Sequence, residues 1–285
     1  MCGGSASLYL KPRTLTEAVS VLASSAGQIL AGGTDFYPAL GDRLPQGTVV
    51  DITSLGELRG ISMETGHVRI GGLTTWSELI RTPLPRCFDA LKAAGREIGS
   101  VQIQNRGTVA GNLCNASPAA DGVPPLLALD SEVELISAAE TRRMPVAGFI
   151  IGNRRTQRRP DEILSAVLVP RRLENARSAF LKLGARRYLV ISISMAAAIV
   201  QSDDAGCVAE ARIAVGSCSA TAQRLRELEH DLLGLPAKAG LGARVETKHL
   251  APLSPIHDLR ATAEYRWDAS LTLVRRALEV CVGRL

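Results

Sequence analysis

The chain has 285 residues, 46% of them hydrophobic and 21% charged, a composition that supports packed cores and excludes a disordered or fibrous protein. The net charge is +5, but only 4% of residues are aromatic and none interleaves with the densest basic cluster (Arg154, Arg155, Arg158, Arg159), which argues against nucleic-acid binding. That cluster precedes Pro160 in a short polar stretch and reads as a solvated loop or, next, as a docking site for an acidic partner.

The start, Met1-Cys2-Gly3-Gly4, lacks a basic region followed by an apolar core, so no signal peptide is expected. Thr14 and Glu17 have the spacing of a capping box and predict a helix to about Leu22; strands follow at 28–31 and 48–52, giving a first α/β lobe. A second lobe begins near His67, with a strand at 68–70, a capping-box start at Thr75 and Glu78, and a helix over 86–98. A small-residue run at 108–121, a helix at 123–128 and a strand at 133–137 complete it.

After Pro170 the pattern changes to longer strands, 179–183, 190–201 and 208–215, with a turn at 203–206, then helices at 222–233 and 270–282. The apolar stretch 188–200 is short for a membrane span and carries Ser192 and Ser194, so it reads as a buried strand. The expected division is 1–172, with lobes of about 1–60 and 61–172, followed by a separate α+β unit over 173–285. Six cysteines, Cys2, Cys87, Cys114, Cys207, Cys218 and Cys281, lie too far apart for an iron–sulfur or zinc site; reduced thiols in the cytoplasm and no metal are expected.

Two runs carry ligand chemistry. In 31–35, Gly32 and Gly33 follow an apolar strand, and successive glycines can turn consecutive N–H groups into one concavity that holds phosphate without a cation. A plain tight turn also explains them. In 108–121, Gly111 and the alanines remove bulk, Asn112, Asn115 and Ser117 offer hydrogen bonds, Pro118 fixes a turn and Asp121 ends the run with a single carboxylate. Such a run suits a polyhydroxylated or phosphorylated ligand. Read locally, Asp121 is a helix N-cap ahead of Val123, Lys182 an exposed strand lysine, and His67, His230, His249 and His257 surface or cap residues.

In order and spacing, together with 70–75, 104–107, 124–129, Arg154-Arg155-Thr156, 212–216 and 258–266, these runs resemble the FAD-binding subunit of molybdenum hydroxylases, the group of carbon monoxide dehydrogenase medium subunits and xanthine dehydrogenase flavin domains. The resemblance implies an α+β fold: a two-lobed FAD-binding domain of the vanillyl-alcohol-oxidase type, holding FAD between its lobes, then a small α+β domain with an antiparallel sheet. It implies an oxidoreductase subunit that accepts electrons from the [2Fe-2S] clusters of a small partner, served by a molybdenum-cofactor large partner, and passes them to NAD or another acceptor. Substrate hydroxylation would take place on the large partner, so no catalytic residue is assigned here.

By the same resemblance, Ala31, Gly32, Gly33, Thr34 and Asp35 hold the pyrophosphate, with Thr34 adding its hydroxyl. Gly111 and Asn112 lie near flavin and diphosphate, Ser117 and Asp121 reach ribityl or phosphate-side groups, and Lys182 stands near the isoalloxazine. Leu30, Thr74, Thr108 and Ala116 complete the expected cofactor contacts. Ala110 and Ala120 replace family glycines, where a methyl group narrows the approach and any positive φ would be strained. Two other readings stay open: a self-contained flavin oxidase of the vanillyl-alcohol type, which the small C-terminal unit disfavours, and a scaffold that has lost FAD.

Overall fold

The computed structural model describes residues 8–25 and 27–283, so the Met1–Gly4 start and Cys2 lie outside the described residues. The first lobe comprises β1 (Leu8–Leu10), α1 (Leu15–Ser24), β2 (Gly27–Leu30), α2 (Phe36–Leu40) and β3 (Thr48–Asp51), with a parallel sheet in the order β1-β3-β2. The Thr14 hydroxyl accepts from the Glu17 N–H, and the Glu17 carboxylate accepts from Arg13 N–H instead of closing a reciprocal box on Thr14. Ala18, Val19 and Leu22 of α1 bury against Val50 and Ile52. Leu73 and Ile163 of the second lobe complete that core, so the first lobe is closed by residues of the second.

The second lobe runs through β4 (Ile61–Met63), β5 (His67–Gly71), α3 (Trp76–Arg81), α4 (Asp89–Glu97), α5 (Val101–Gln104), α6 (Val109–Asn115), α7 (Val123–Ala128), β6 (Glu132–Ile136), β7 (Thr141–Pro145), α8 (Val146–Phe149), β8 (Ile150–Gly152), β9 (Arg155–Thr156) and β10 (Ile163–Pro170). Its antiparallel sheet has the order β4-β5-β10-β6-β7. At α3 the capping box is reciprocal: Thr75 N–H donates to Glu78 Oε2 at 2.7 Å and Glu78 N–H donates to Thr75 Oγ1 at 3.2 Å. The expected single helix over 86–98 is a 3₁₀ turn (Arg86–Phe88) leading into α4.

The C-terminal unit holds β11 (Arg177–Leu183), β12 (Ser194–Ser202), β13 (Val208–Gly216) and β14 (Gln223–Arg224) in an antiparallel sheet of that order, with α9 (Arg226–Asp231) and α10 (Ala263–Cys281). Met195, Ala197 and Ile199 of β12 pack into the core of the second lobe, while Ala196, Ala198 and Val200 pack with Val274, Ala277 and Leu278 of α10. A strand covered on both faces needs no polar alternation, which is why this stretch is continuously apolar. Small alanines let α10 lie close to the sheet.

Three sequence expectations fail here. The buried strand expected over 188–200 begins only at Ser194: Tyr188, Leu189 and Ile191 are exposed, and Leu189 takes a left-handed φ of 51° that breaks the ladder. The helix expected over 222–233 starts as β14, because Gln223 and Arg224 pair with Val215 and Ala214. The last helix begins at Ala263, where the Thr262 hydroxyl accepts from Tyr265 N–H and supplies an N-cap that apolar periodicity alone does not show. No described helix is long and apolar enough to cross a membrane.

Candidate functional site

A cavity of about 700 Å³ opens between the two lobes and is lined by 31–36 of the first, by parts of α4, α6, the 117–121 turn and the 154–158 loop of the second, and by Val190 and Ile191 of the C-terminal unit. Its size lies in the range that takes a whole cofactor.

The first wall is made where β2 ends at Leu30. Gly33 has a φ of +76°, and a Cβ on Gly32 would stand 2.0 Å from the Arg106 carbonyl oxygen and 3.0 Å from Gly107 Cα. Gly32 is therefore glycine because the backbone of the second lobe passes against it, a reason invisible in the local sequence. Among the described residues, the backbone N–H groups of Gly32, Gly33, Thr34 and Asp35 donate to no protein acceptor, and all four residues line the cavity. A run of free donors at a cavity wall is suited to oxygen-rich anions.

The second wall is α6 and its exits. Thr108 and Thr75 form an antiparallel bridge, Trp76 N–H donates to Gly107 O and Val109 N–H to Thr74 O, which straps the starts of α3 and α6 side by side. The Thr108 hydroxyl caps α6 by accepting from Gly111 N–H at 2.9 Å. Asn112 then lines the cavity with its Oδ1 buried and without a partner among the described residues. The oxygen lies beside Gly122, where a Cβ would come within 2.7 Å of it, and such an acceptor is costly to leave unpaired.

The helix ends at Ala116 in the left-handed conformation (φ 47°, ψ 40°), and the Ala116 carbonyl accepts from the N–H of Arg154, itself left-handed at φ 54°. The strain expected at Ala110 and Ala120 is located elsewhere: Ala110 lies inside α6, Ala120 in the turn that follows, and neither has a positive φ.

Asp121 is buried at the end of this wall. It does not cap α7, whose N-cap position is Gly122 without a side-chain bond. Instead its Oδ2 accepts from Lys182 Nζ at 2.6 Å and its Oδ1 from Ser192 Oγ at 2.6 Å. Burial pushes the carboxyl above the ordinary carboxylate range, with the Lys182 ammonium and the Ser192 hydroxyl opposing. Lys182 is not an exposed strand lysine: its side chain retains only 6% exposure, its ammonium sits behind Asp121, and it is not a lining residue.

The basic stretch is not simply solvated. Arg154 and Arg158 line the cavity, Arg154 donates to Asn115 Oδ1, and Arg158 donates to the carbonyl of Glu162. The loop is anchored by the Glu162 carboxylate, fully buried, which accepts from Arg142 at 2.6 and 3.0 Å and from Arg159 N–H at 2.7 Å. These bonds hold Glu162 below its ordinary pKa against the cost of burial. Cys114, also in the wall, is pushed up to about 11 by burial, with the Arg158 charge opposing. Far from the cavity, His249 is buried, accepts from Glu246 N–H and bonds Asp231; it is a cap residue and not a surface one.

Of the residues singled out from sequence, Ala31, Gly32, Gly33, Thr34, Asp35, Thr108, Gly111, Asn112, Ser117 and Asp121 line the one cavity, while Leu30, Thr74, Ala116 and Lys182 stand behind its walls. Thr74 is fully buried and donates to Gly60 O. Sequence reasoning missed Trp76, Glu97, Ile103, Arg154, Arg158, Val190 and Ile191 as lining residues. The arginines carried a signal in their charge; Val190 and Ile191 carried none, since a loop crossing from another unit leaves no local pattern.

Comparison with known proteins matches residues 4–172 to the FAD binding domain in molybdopterin dehydrogenase and residues 179–280 to the CO dehydrogenase flavoprotein C-terminal domain. The chain is similar to the xanthine dehydrogenase FAD-binding subunit of Escherichia coli O157:H7, at 33% identity over 96% of each chain, and to the nicotinate dehydrogenase FAD-subunit of Eubacterium barkeri, at 35% identity over 80% of each. Among solved structures, reconstituted CO dehydrogenase from Oligotropha carboxidovorans contains a chain that superposes with a TM-score of 0.91, at 26% identity, over 98% of this chain and 99% of that one.

Proposed function

Because this chain belongs to the family of FAD-binding domains in molybdopterin dehydrogenases, we propose that its interlobe cavity holds FAD and that it is the electron-transferring flavoprotein subunit of a molybdenum hydroxylase complex. The observation that carries the reading is the pairing of free donors with a free acceptor in one cavity: the N–H groups of 32–35 suit the oxygens of a diphosphate, and the unpartnered Asn112 Oδ1 awaits a donor.

In this reading Gly32, Gly33, Thr34 and Asp35 bind the diphosphate through backbone N–H, with the Thr34 hydroxyl alongside. Gly111 keeps the α6 wall low, Asn112 accepts from the cofactor, and the Ser117 hydroxyl donates to it. Arg154 and Arg158 balance phosphate charge at the rim. Leu30, Thr74, Thr108 and Ala116 shape these walls from within. When bound, FAD supplies the exchange between one-electron donors and two-electron acceptors. The chain's own residues bind it, orient it and screen it from water.

Relatives such as the carbon monoxide dehydrogenase medium chain of Hydrogenophaga pseudoflava, similar at 29% identity over 97% of each chain, are named as one chain of a larger assembly. We extend to this chain a large molybdenum-cofactor partner, a small [2Fe-2S] partner that delivers electrons, and NAD or another soluble acceptor. The described cysteines are all free, which supports a cytoplasmic setting. Similarity across both units favours this reading over a self-contained oxidase, and Ala110 and Ala120, whose methyl groups stand in the cavity wall, carry no positive-φ strain that would favour a scaffold without FAD.

The test is the visible spectrum of the purified chain before and after addition of FAD, with the released flavin identified after heat denaturation. Bound, noncovalent FAD is expected. No binding at saturating FAD would overturn the proposal, and co-purification of molybdenum and iron with larger and smaller chains would extend it to the complex.

A further inference from the structure

α10 covers the face of the C-terminal sheet that the cofactor lobes leave free. Ala196, Ala198 and Val200 of β12 pack with Val274, Ala277 and Leu278, while the alternate residues of the same strand pack into the second lobe. The outer side of α10 therefore lies across the sheet from the lobes. Along it Glu264, Trp267, Asp268, Leu271 and Arg275 recur at intervals of three and four, the spacing of one helix face. Trp267 and Leu271 are only partly buried, and with Thr247 and Leu250 they line an open groove of about 500 Å³ that shares no residue with the interlobe cavity.

This face is divided by charge. Its first half carries Glu264 and Asp268, its second half Arg275 and the adjoining Arg276, and all four are exposed. None of them forms an ion pair among the described residues; the Arg275 guanidinium donates only to the Val245 carbonyl, at 3.1 and 2.8 Å. Asp268 and Arg275 are two turns apart, about 10 Å along the axis, so they cannot meet within one helix. Between the acidic and basic halves stands the half-buried Trp267, and tryptophan and arginine are the side chains that most often carry the binding energy of an interface.

A helix that is acidic in its first half, apolar at its middle and basic in its second half complements itself when reversed. Two copies laid antiparallel, with a twofold axis between Leu271 and Thr272, set Asp268 of each against Arg275 of the other, and Trp267 against Arg276, whose guanidinium can lie on the indole. A parallel pair would set like charges together. We propose that the outer face of α10 is a self-association surface, on which a second copy of this chain seats its own α10 antiparallel. A single helix pair buries less than the ~1,200 Å² of a standard interface, so the dimer is weak, with a dissociation constant on the order of tens of micromolar. Nothing in this pairing depends on what the interlobe cavity holds.

The experiment is sedimentation velocity with light scattering on the full chain, with and without FAD, from ~1 μM to ~1 mM. A monomer–dimer equilibrium is expected in both conditions. Asp268→Arg, at an exposed and unpaired position, should raise the dissociation constant at least about tenfold and leave the melting temperature of the monomer nearly unchanged. Arg275→Glu should do the same to association, and the double variant Asp268→Arg/Arg275→Glu, which exchanges the two charges, should bring the dissociation constant back to within a few-fold of the unaltered chain. A chain that stays monomeric over the whole range would overturn the inference and leave this face to another chain of the complex. A dimer that Asp268→Arg leaves intact is formed elsewhere, and single losses that the double variant does not recover rule out the antiparallel pairing. Should Arg275→Glu not fold, Asp268→Arg against the unaltered chain decides alone.

Discussion

The α-carbon of Gly32 and the carbonyl oxygen of Arg106 meet so closely that a Cβ at Gly32 would stand 2.0 Å from that oxygen. One lobe's glycine loop is thereby pinned to the turn that precedes α6 in the other. The contact aligns two walls that are distant in sequence. Gly32→Ala should force the lobes apart and weaken FAD binding well over tenfold, with about 1–3 kcal/mol lost in stability as for other overpacking changes. Gly33→Ala, which meets a strained positive φ and a Cβ contact of 2.9 Å with the movable Tyr37 ring but no backbone of the other lobe, should cost about 1–2 kcal/mol. Fluorescence titration with FAD and thermal unfolding of the two variants separate the effects; equal affinities would contradict the account.

Asn112 predicts an opposition between stability and binding. Its Oδ1 is buried and unpaired without cofactor, so Asn112→Ala removes an unsatisfied acceptor, and the FAD-free protein should be as stable as the original or more so. The same change should raise the FAD dissociation constant about tenfold, corresponding to ~1.4 kcal/mol. Melting curves with and without FAD show both at once.

Glu162 anchors the arginine loop from a fully buried position, while Arg142 remains 30% exposed. Glu162→Ala should cost roughly 3 kcal/mol, the low end for breaking a buried pair, since Arg142 can turn to water. The carboxyl is held below its ordinary pKa in the fold, so its stabilising contribution is present above about pH 4.5, the unfolded value, and fades as pH falls through the lower folded value. Denaturant midpoints between pH 3 and 7 should fall more steeply on the acid side for the unaltered chain than for Glu162→Gln.

Cys114 lines the cavity as a thiol pushed up to about 11. Iodoacetamide should modify it slowly at pH 7.5 and progressively faster toward pH 10, because the thiolate is the nucleophile. Saturating FAD should suppress its labelling, read residue by residue by mass spectrometry, and leave Cys207 untouched. Labelling of Cys114 that ignores FAD would place the cofactor elsewhere.

Much of the fold was legible because it is written in local chemistry. The threonine-glutamate spacings at 14–17 and 75–78 announced helix starts, alternating or continuous apolar runs announced strands, and the residue types of 31–35 and 108–121 marked walls of one cavity. Where the reading slipped, a distant partner had intervened. Gln223 and Arg224 became a strand by pairing with β13, and 188–193 left the sheet at a left-handed Leu189.

Chain order and residue type by themselves determined the two-part α+β organisation, the two runs that wall the interlobe cavity and the family resemblance, since these depend on propensity, capping and spacing. Only the tertiary structure decided why Gly32 must lack a side chain, that Arg154 and Arg158 reach the cavity, and that Asp121 is spoken for by Lys182 and Ser192. The physical reason is the same in each case: burial, steric approach and ion pairing are set by groups far apart along the chain, and their energies exist only once the lobes and the C-terminal sheet have packed.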